Sequence, residues 1–444
     1  MKYLLLLPLL VLLSSCKSQQ EQIVDSSWYE IKSENFRIIT DDNSNRSEIL
    51  IKDLERFRQF TTSYYGAATL PGGSLLRGVN KTNSPLTIYV AESVESYANL
   101  LGYDRAFSTA GMYYTNEYGQ FAFINMGAGS YRQVKKLTLA REFLFHEYMH
   151  YLLVNQSQGV YHPYWYSEGI AELFSTLTFG DDDNFIYGKM PISREYSLAK
   201  GRILPVAPLL ITTRHSDVSD EYLSALYASG WLLTHYISLE KKQSAQLNGY
   251  LMALNNGKHP IGAFETNFGM NINAFNERYI QYLKNDNYKY ITGKFRGGFK
   301  EVKSTRVELP TADALGEISR MMAITSKEVE PISKLIETAN KQGIDTAHFD
   351  FSLAYVLLQE KKGKEARELI ADHQAETSWQ NMVTAASLKW QVEHGDISVE
   401  EKQQLLQQII ELYQLVIELE PYNQAAKLRL KLAQQDLTQL SKTA

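Results

Sequence analysis

Apolar and polar positions follow two different rhythms along this chain, and the change falls near residue 310. Residues 28–40 (WYEIKSENFRIIT) are dense in β-branched and aromatic side chains and end in Asp41, Asp42 and Asn43, a turn composition. They predict one or two strands. Residues 86–90 (LTIYV) read as a buried strand, and 119–126 (GQFAFINM) as another, closed by Gly127 and Gly129. Between these, Ile49, Leu50, Leu54, Phe57 and Phe60 recur close to helical spacing over 47–65, and a second helix is expected over 93–101. A strongly apolar helix is expected over about 136–155, a short one within 161–174, and others over 222–239, 245–254 and 271–283. Strands interleaved with helices ahead of a central helix predict an α+β domain over 28–295. Residues 288–310 carry charge and glycine with little helical period, which places an interdomain link at 296–310.

From 311 to 444 the pattern is almost wholly helical, with Gln, Glu, Lys, Leu and Ala dominant. Two stretches resemble the helix-turn-helix units of tetratricopeptide proteins. In 351–372, Ala354, Gly363, Ala366 and Leu369 fall where small or apolar packing residues are needed; in 405–432, residues 420–423 form the turn. No strict period runs through the whole region, so a generic helical bundle stays open beside an all-α tetratricopeptide-like domain.

Composition narrows the class. With 44% hydrophobic and 21% charged residues, 444 residues suffice for two or three domains with their own cores. The net charge of −5 and the lack of any basic tract argue against a nucleic-acid partner. The 29 Tyr and 18 Phe suit a tightly packed β-containing domain.

The first sixteen residues read as a targeting segment. Lys2 gives a positive start, residues 4–13 are an apolar run too short to span a bilayer, and Leu13-Ser14-Ser15-Cys16 resembles the bacterial lipoprotein box. A lipidated Cys16 would anchor the chain firmly, because two or more acyl chains hold where one holds only marginally. Residues 17–27 are then a polar tether, and the expected location is the cell envelope, on the periplasmic face of an outer membrane or on the cell surface. Cys16 is the only cysteine, which leaves the rest of the chain without disulfides or thiolate ligands. No later segment is apolar enough to cross a membrane.

The chemistry concentrates in His146-Glu147-Tyr148-Met149-His150. On a helix, positions four apart share a face, so two imidazoles can approach one ion from the same side, with Glu147 beside them as a general base. The flanking Leu144, Phe145, Met149, Tyr151, Leu152, Leu153 and Val154 predict burial, and buried imidazoles need a partner that a metal supplies. A catalytic zinc takes three protein ligands and keeps an open position. Carboxylates follow at Glu168 and Glu172, within YWYSEGIAE.

That pairing of HExxH with a downstream S-E-G-x-A segment resembles the gluzincin metallopeptidases. Together with SENFRIITD, HEYMHYLL and LYASGWLLTHYI it is similar to the peptidase-MA-like families of bacterial surface proteins, across roughly 28–283. The resemblance implies a zincin-like fold, Zn2+ held by His146, His150 and Glu168, Glu147 as base, and Glu172 orienting a ligand histidine from outside the metal shell. The converse assignment, with Glu172 as ligand, stays open. For the oxyanion donor the candidates are Tyr227 and, less favoured, His215. Residues 120–126 are read either as an edge strand that pairs with an extended peptide or as an inner strand. His162 reads as a solvated loop residue, and Trp165 as packing between the two helices. The expected partners are a peptide or protein substrate and a protein partner bound through the helical repeats. The alternative function is a non-catalytic, lipid-anchored scaffold.

Overall fold

The computed structural model describes residues 17–65, 85–101, 110–116, 118–127, 133–156, 161–213, 218–326, 328–421 and 423–443. Cys16 with the leader, and His215, lie outside the described residues. The strands are β1 (Tyr29–Lys32), β2 (Phe36–Thr40), β3 (Leu86–Ala91), β4 (Gly111–Asn116), β5 (Gly119–Asn125), β6 (Thr178–Phe179), β7 (Asn184–Tyr187), β8 (Ile291–Lys294) and β9 (Thr305–Glu308). The helices of the first part are α1 (Gln19–Asp25), α2 (Arg46–Tyr65), α3 (Val94–Leu101), α4 (Gln133–Gln156), α5 (Tyr164–Ser175), α6 (Glu195–Ala199), α7 (Val206–Ile211), α8 (Asp220–His235), α9 (Ser244–Asn255), α10 (Pro260–Phe268) and α11 (Ile272–Asn285). Those of the second part are α12 (Thr311–Ser326), α13 (Val329–Lys341), α14 (Asp350–Gln359), α15 (Gly363–Leu369), α16 (Ser378–His394), α17 (Val399–Leu419) and α18 (Gln424–Thr443).

A mixed six-stranded sheet in the order β4-β5-β3-β2-β1-β9 forms the centre, and β6, β7 and β8 make a small second sheet. Strands β2, β3 and β5 run parallel, with Ile38 opposite Ile88 and Ile88 opposite Ala122. The antiparallel neighbours β4, β1 and β9 close the two sides. Successive side chains leave a strand on opposite faces, and here both faces are covered, so apolar side chains of the central strands point both ways. Phe36, Ile38, Ile88, Val90, Ala122 and Ile124 enter one core, with α2, α4, α5 and α8. Ile39, Tyr89, Ala91, Phe121 and Phe123 enter a second core, with α3, with the helices beyond residue 310, and with Ile23 and Val24 of α1. The stretch 17–27, expected as a polar tether, is instead a capped helix packed on this core.

The chain is therefore a mixed α/β region followed by a mostly helical one, but the two meet along a whole sheet face. Tyr118 packs edge-on against Tyr355 and Trp379, at 4.8 and 5.7 Å between ring centres. Arg37 on β2 pairs with Glu317 on α12 at 3.0 Å. Residues 305–308, read from sequence as linker, are instead the edge strand β9, paired antiparallel with β1 from Tyr29↔Glu308 to Lys32↔Thr305. The edge-strand alternative for 120–126 is also corrected. β4 pairs with β5 along its length, from Gly111↔Ile124 to Asn116↔Gly119, so β5 is an inner strand and β4 takes the edge. Residues 351–372 and 405–432 each contain a helix-turn-helix pair, α14–α15 and α17–α18. Capping boxes at Thr377 with Gln380 and at Ser398 with Glu401 set the starts of α16 and α17. Among the described residues no helix is long and apolar enough to cross a membrane.

Candidate metal centre

The central helix α4 is held from both sides by aromatic packing. Phe57 of α2 lies 4.3 Å from Phe145, and Phe36 of β2 lies 5.0 Å from Tyr148, centre to centre. This leaves the face with His146 and His150 turned toward α5. Helix α5 carries Glu168, and its close approach depends on glycine. A Cβ on Gly169 would collide with the carbonyl oxygen of Gly230 and with Thr234 Oγ1, both on α8. A Cβ on Gly230 would come within 2.8 Å of the Trp165 carbonyl oxygen. Two facing glycines thus let the backbones of α5 and α8 touch, which brings Tyr227, one turn before Gly230, beside the histidines. Trp165 is fully buried in this packing, against Tyr166 and Tyr250.

Three donor atoms converge. His146 Nε2 and His150 Nε2 are 3.0 Å apart, and Glu168 Oε2 is 3.3 Å from the first and 3.2 Å from the second. A tetrahedral ion with spokes of about 2.0–2.1 Å has edges of about 3.3–3.4 Å, so this triangle has the size of one face of a zinc tetrahedron. Glu168 Oε2 is buried and receives no directed hydrogen bond, a state that costs free energy unless a cation answers it. An oxygen and two imidazole nitrogens meeting at one point also suit zinc by ligand type. Among the described residues this is the one His/Cys/Asp/Glu group with metal-binding spacing.

Glu172 stands elsewhere. Its Oε1 lies 3.3 Å from His146 Nδ1, on the far side of the ring from Glu168. Arg194 donates to the same Oε1 from Nε at 2.9 Å and from Nη2 at 2.7 Å. Ser167 Oγ is 3.4 Å from His150 Nδ1, so each imidazole has a polar neighbour behind it. Burial pushes the Glu172 carboxyl up, but Arg194 and His146 outweigh it and bring it down to about 2. Among the protein groups alone, burial pushes His146 down while Glu172, Glu168 and Glu147 raise it to about 10. Glu168 is held well below the usual carboxylate range against its burial, first by His150 and then by His146. The pocket favours positive charge at the point where the three donor atoms meet.

Glu147 is half-buried on α4 between the two histidines. Tyr227 lies 6.2 Å from His146 between ring centres, with its hydroxyl 3.4 Å from that of Tyr164. Burial and the charge of Glu168 raise its pKa beyond the usual phenol range, so it keeps its proton. His162, read as solvated, is half-buried against Tyr166, its Nδ1 is buried without a partner, and burial lowers it to about 4.

Sequence reasoning missed Ser167, Arg194 and Glu142. Glu142 is buried, accepts a hydrogen bond from the Ile192 N–H at 3.2 Å, and is pushed up to about 8 by burial. It repeats the four-residue spacing of His146 and His150 one turn upstream, a signal visible in the sequence. Nothing in the spacing announces Arg194, which arrives on a loop 22 residues after Glu172. Comparison with protein-family models, curated protein sequences and solved structures gives no match to this chain.

Proposed function

We propose that this protein is a zinc-dependent metallopeptidase of gluzincin type, held at a membrane surface through Cys16. His146, His150 and Glu168 would bind the ion. The observation that carries this reading is the triangle of 3.0, 3.2 and 3.3 Å formed by two imidazole nitrogens and a buried carboxylate oxygen. When bound there, zinc supplies a Lewis acid for the scissile carbonyl and lowers the pKa of its water.

The chain's own residues account for the remaining chemistry. Glu147, between the two histidines, accepts the proton of the attacking water and delivers it to the departing amine. Tyr227, protonated and facing His146, donates to the oxyanion as it develops. Glu172 holds His146 from behind, and Ser167 stands behind His150. The outer side of β4, which no described strand pairs with, would offer backbone groups to an extended peptide. On this reading the α/β region is a zincin-like domain, and the helices beyond residue 310 are a tetratricopeptide-like module that presents substrate or binds a partner protein.

The test is metal content and cleavage of a peptide library for residues 17–444 and for Glu147→Gln. The expected result is one zinc per chain in both, with cleavage lowered by about 10²–10⁴-fold in the variant. Protein without stoichiometric zinc, or cleavage untouched by Glu147→Gln, sinks the proposal. Zinc in both with cleavage in neither points to the scaffold alternative.

A further inference from the structure

The segment between β7 and α6 leads away from the metal-binding helices and then sends one side chain back to them. Arg194 ends that segment, and its side chain is only 14% exposed. Its Nε and Nη2 both donate to Glu172 Oε1, at 2.9 and 2.7 Å, and the same Oε1 lies 3.3 Å from His146 Nδ1. The guanidinium plane lies over the Tyr227 ring, 4.8 Å from its centre, which covers its other side. Two residues earlier the backbone is pinned, because the Ile192 N–H donates to Glu142 one turn above His146 on α4.

We infer that Arg194 is a positioning residue for the metal centre: it fixes the Glu172 carboxylate, which in turn fixes the orientation of the His146 ring. The inference rests on the zinc reading above and extends it to a residue outside the motif. Three observations carry it. A single flexible lysine would let the carboxylate swing away, whereas two donors from one rigid guanidinium converge on the same Oε1 that faces His146 Nδ1 and hold that oxygen in place. The guanidinium is largely buried and lies over the Tyr227 ring, which limits the access of water to it. Its loop is tied to α4 itself, so fork, carboxylate and imidazole share one frame. Arg194 spends its donors on Glu172 and its face on Tyr227, which makes it a poor direct contact for substrate.

The experiment is zinc affinity, measured by competition with a chromogenic chelator on the zinc-free full chain, beside the unfolding midpoint of each protein. The proteins are the parent, E172Q, R194Q, R194K and the double variant E172Q/R194Q. Loss of an outer partner of a metal-binding histidine typically weakens binding by about 10–100-fold. R194Q and E172Q should each show a loss of that order, and R194K a smaller one, because lysine restores charge without the fork. The double variant should bind no more weakly than the worse single one, since the two residues act as one unit. It also carries no unpaired buried charge, so it folds where a single variant does not. Folded R194Q with parental zinc affinity, or losses that add in the double variant, would overturn the inference and leave Arg194 as a structural ion pair. A parent that binds no zinc overturns the metal reading itself, a result the variants cannot mimic.

Discussion

The two faces of the central sheet are built by the same strands and put to opposite use. On one face, α4 and α5 bury His146, Glu168, Glu172 and Glu142, with Arg194 closing over them. On the other, the helices beyond residue 310 meet Ile39, Tyr89, Ala91, Phe121 and Phe123. The polar groups buried among those helices are hydroxyls and amides, and Thr325, Asn381 and Ser387 donate to backbone carbonyls of their own helices. Burying charge costs free energy that only partners repay. The first face therefore gathers buried carboxylates around two histidines, while the second buries mainly apolar groups and hydroxyls, with Arg320 Nε and His373 Nδ1 as buried polar atoms that make no hydrogen bond. The difference suggests a division in which one face holds the site and the other supplies the stability to hold it.

The sharpest way to break that comparison is to remove the second face's cover. A chain of residues 17–310 would expose Ile39, Tyr89, Ala91, Phe121 and Phe123, four of them large. At about 1.5–3 kcal/mol for each large side chain returned to water, the loss is roughly 6–12 kcal/mol, against a typical total of about 5–15 kcal/mol. The truncated chain should fail to fold as a monomer, read by size-exclusion chromatography and circular dichroism. A monomeric product with a cooperative melt would mean that the helical region is an independent domain. Next in size, Phe123→Ala on the second face should cost about 3–5 kcal/mol of stability and leave the zinc affinity of the folded protein unchanged. Gly169→Ala on the first face should cost at least about 1–3 kcal/mol, because the added Cβ meets the Gly230 backbone and α5 and α8 must move apart. That movement shifts Glu168 and Tyr227, so its zinc affinity should fall. The two variants thus both lose stability but separate in metal binding, and equal zinc affinity in the two folded proteins would erase the distinction.

Sequence reading reached the elements whose pattern is local. The helix of His146 and His150, the strands at 36–40, 86–91 and 119–125, and the helix at 46–65 were legible from spacing alone. The shared core was not. Tyr89 and Phe121 look like ordinary members of apolar strands, and only the fold shows that the alternate positions face a different set of helices. β9 was hidden for a related reason: four residues with charge at Arg306 and Glu308 carry no strand signature until β1 is there to pair with them. At the site, the two histidines and both glutamates are near one another in sequence and could be grouped. Geometry was needed to turn Glu168 toward both Nε2 atoms and Glu172 toward Nδ1. Gly169 and Gly230 sit 61 residues apart, and their role exists only where α5 crosses α8.

The smallest expected effect sharpens the comparison most finely, because it isolates one buried charge on the first face. Burial raises Glu142 to about 8 from its ordinary 4.5, with the negative charge of Glu172 adding to the shift. The folded protein then binds a proton at Glu142 that the unfolded chain releases, throughout the interval between those values. Its contribution to stability is fully present below about pH 4.5 and is lost as pH rises toward 8. Glu142→Gln keeps a carbonyl acceptor for the Ile192 N–H and removes the titration. Relative to the parent, the zinc-free variant should be equal or slightly weaker near pH 4.5 and more stable by roughly 1–3 kcal/mol near pH 8. Urea unfolding of both proteins across that range measures the difference directly, with titrating groups remote from Glu142 cancelling in the subtraction. A difference that stays flat with pH would mean that Glu142 remains charged in the folded protein, and that the first face solvates this carboxylate better than its burial indicates. On the second face the nearest counterpart is Asp350, a half-buried carboxylate that burial raises against the pull of His373 at 3.0 Å.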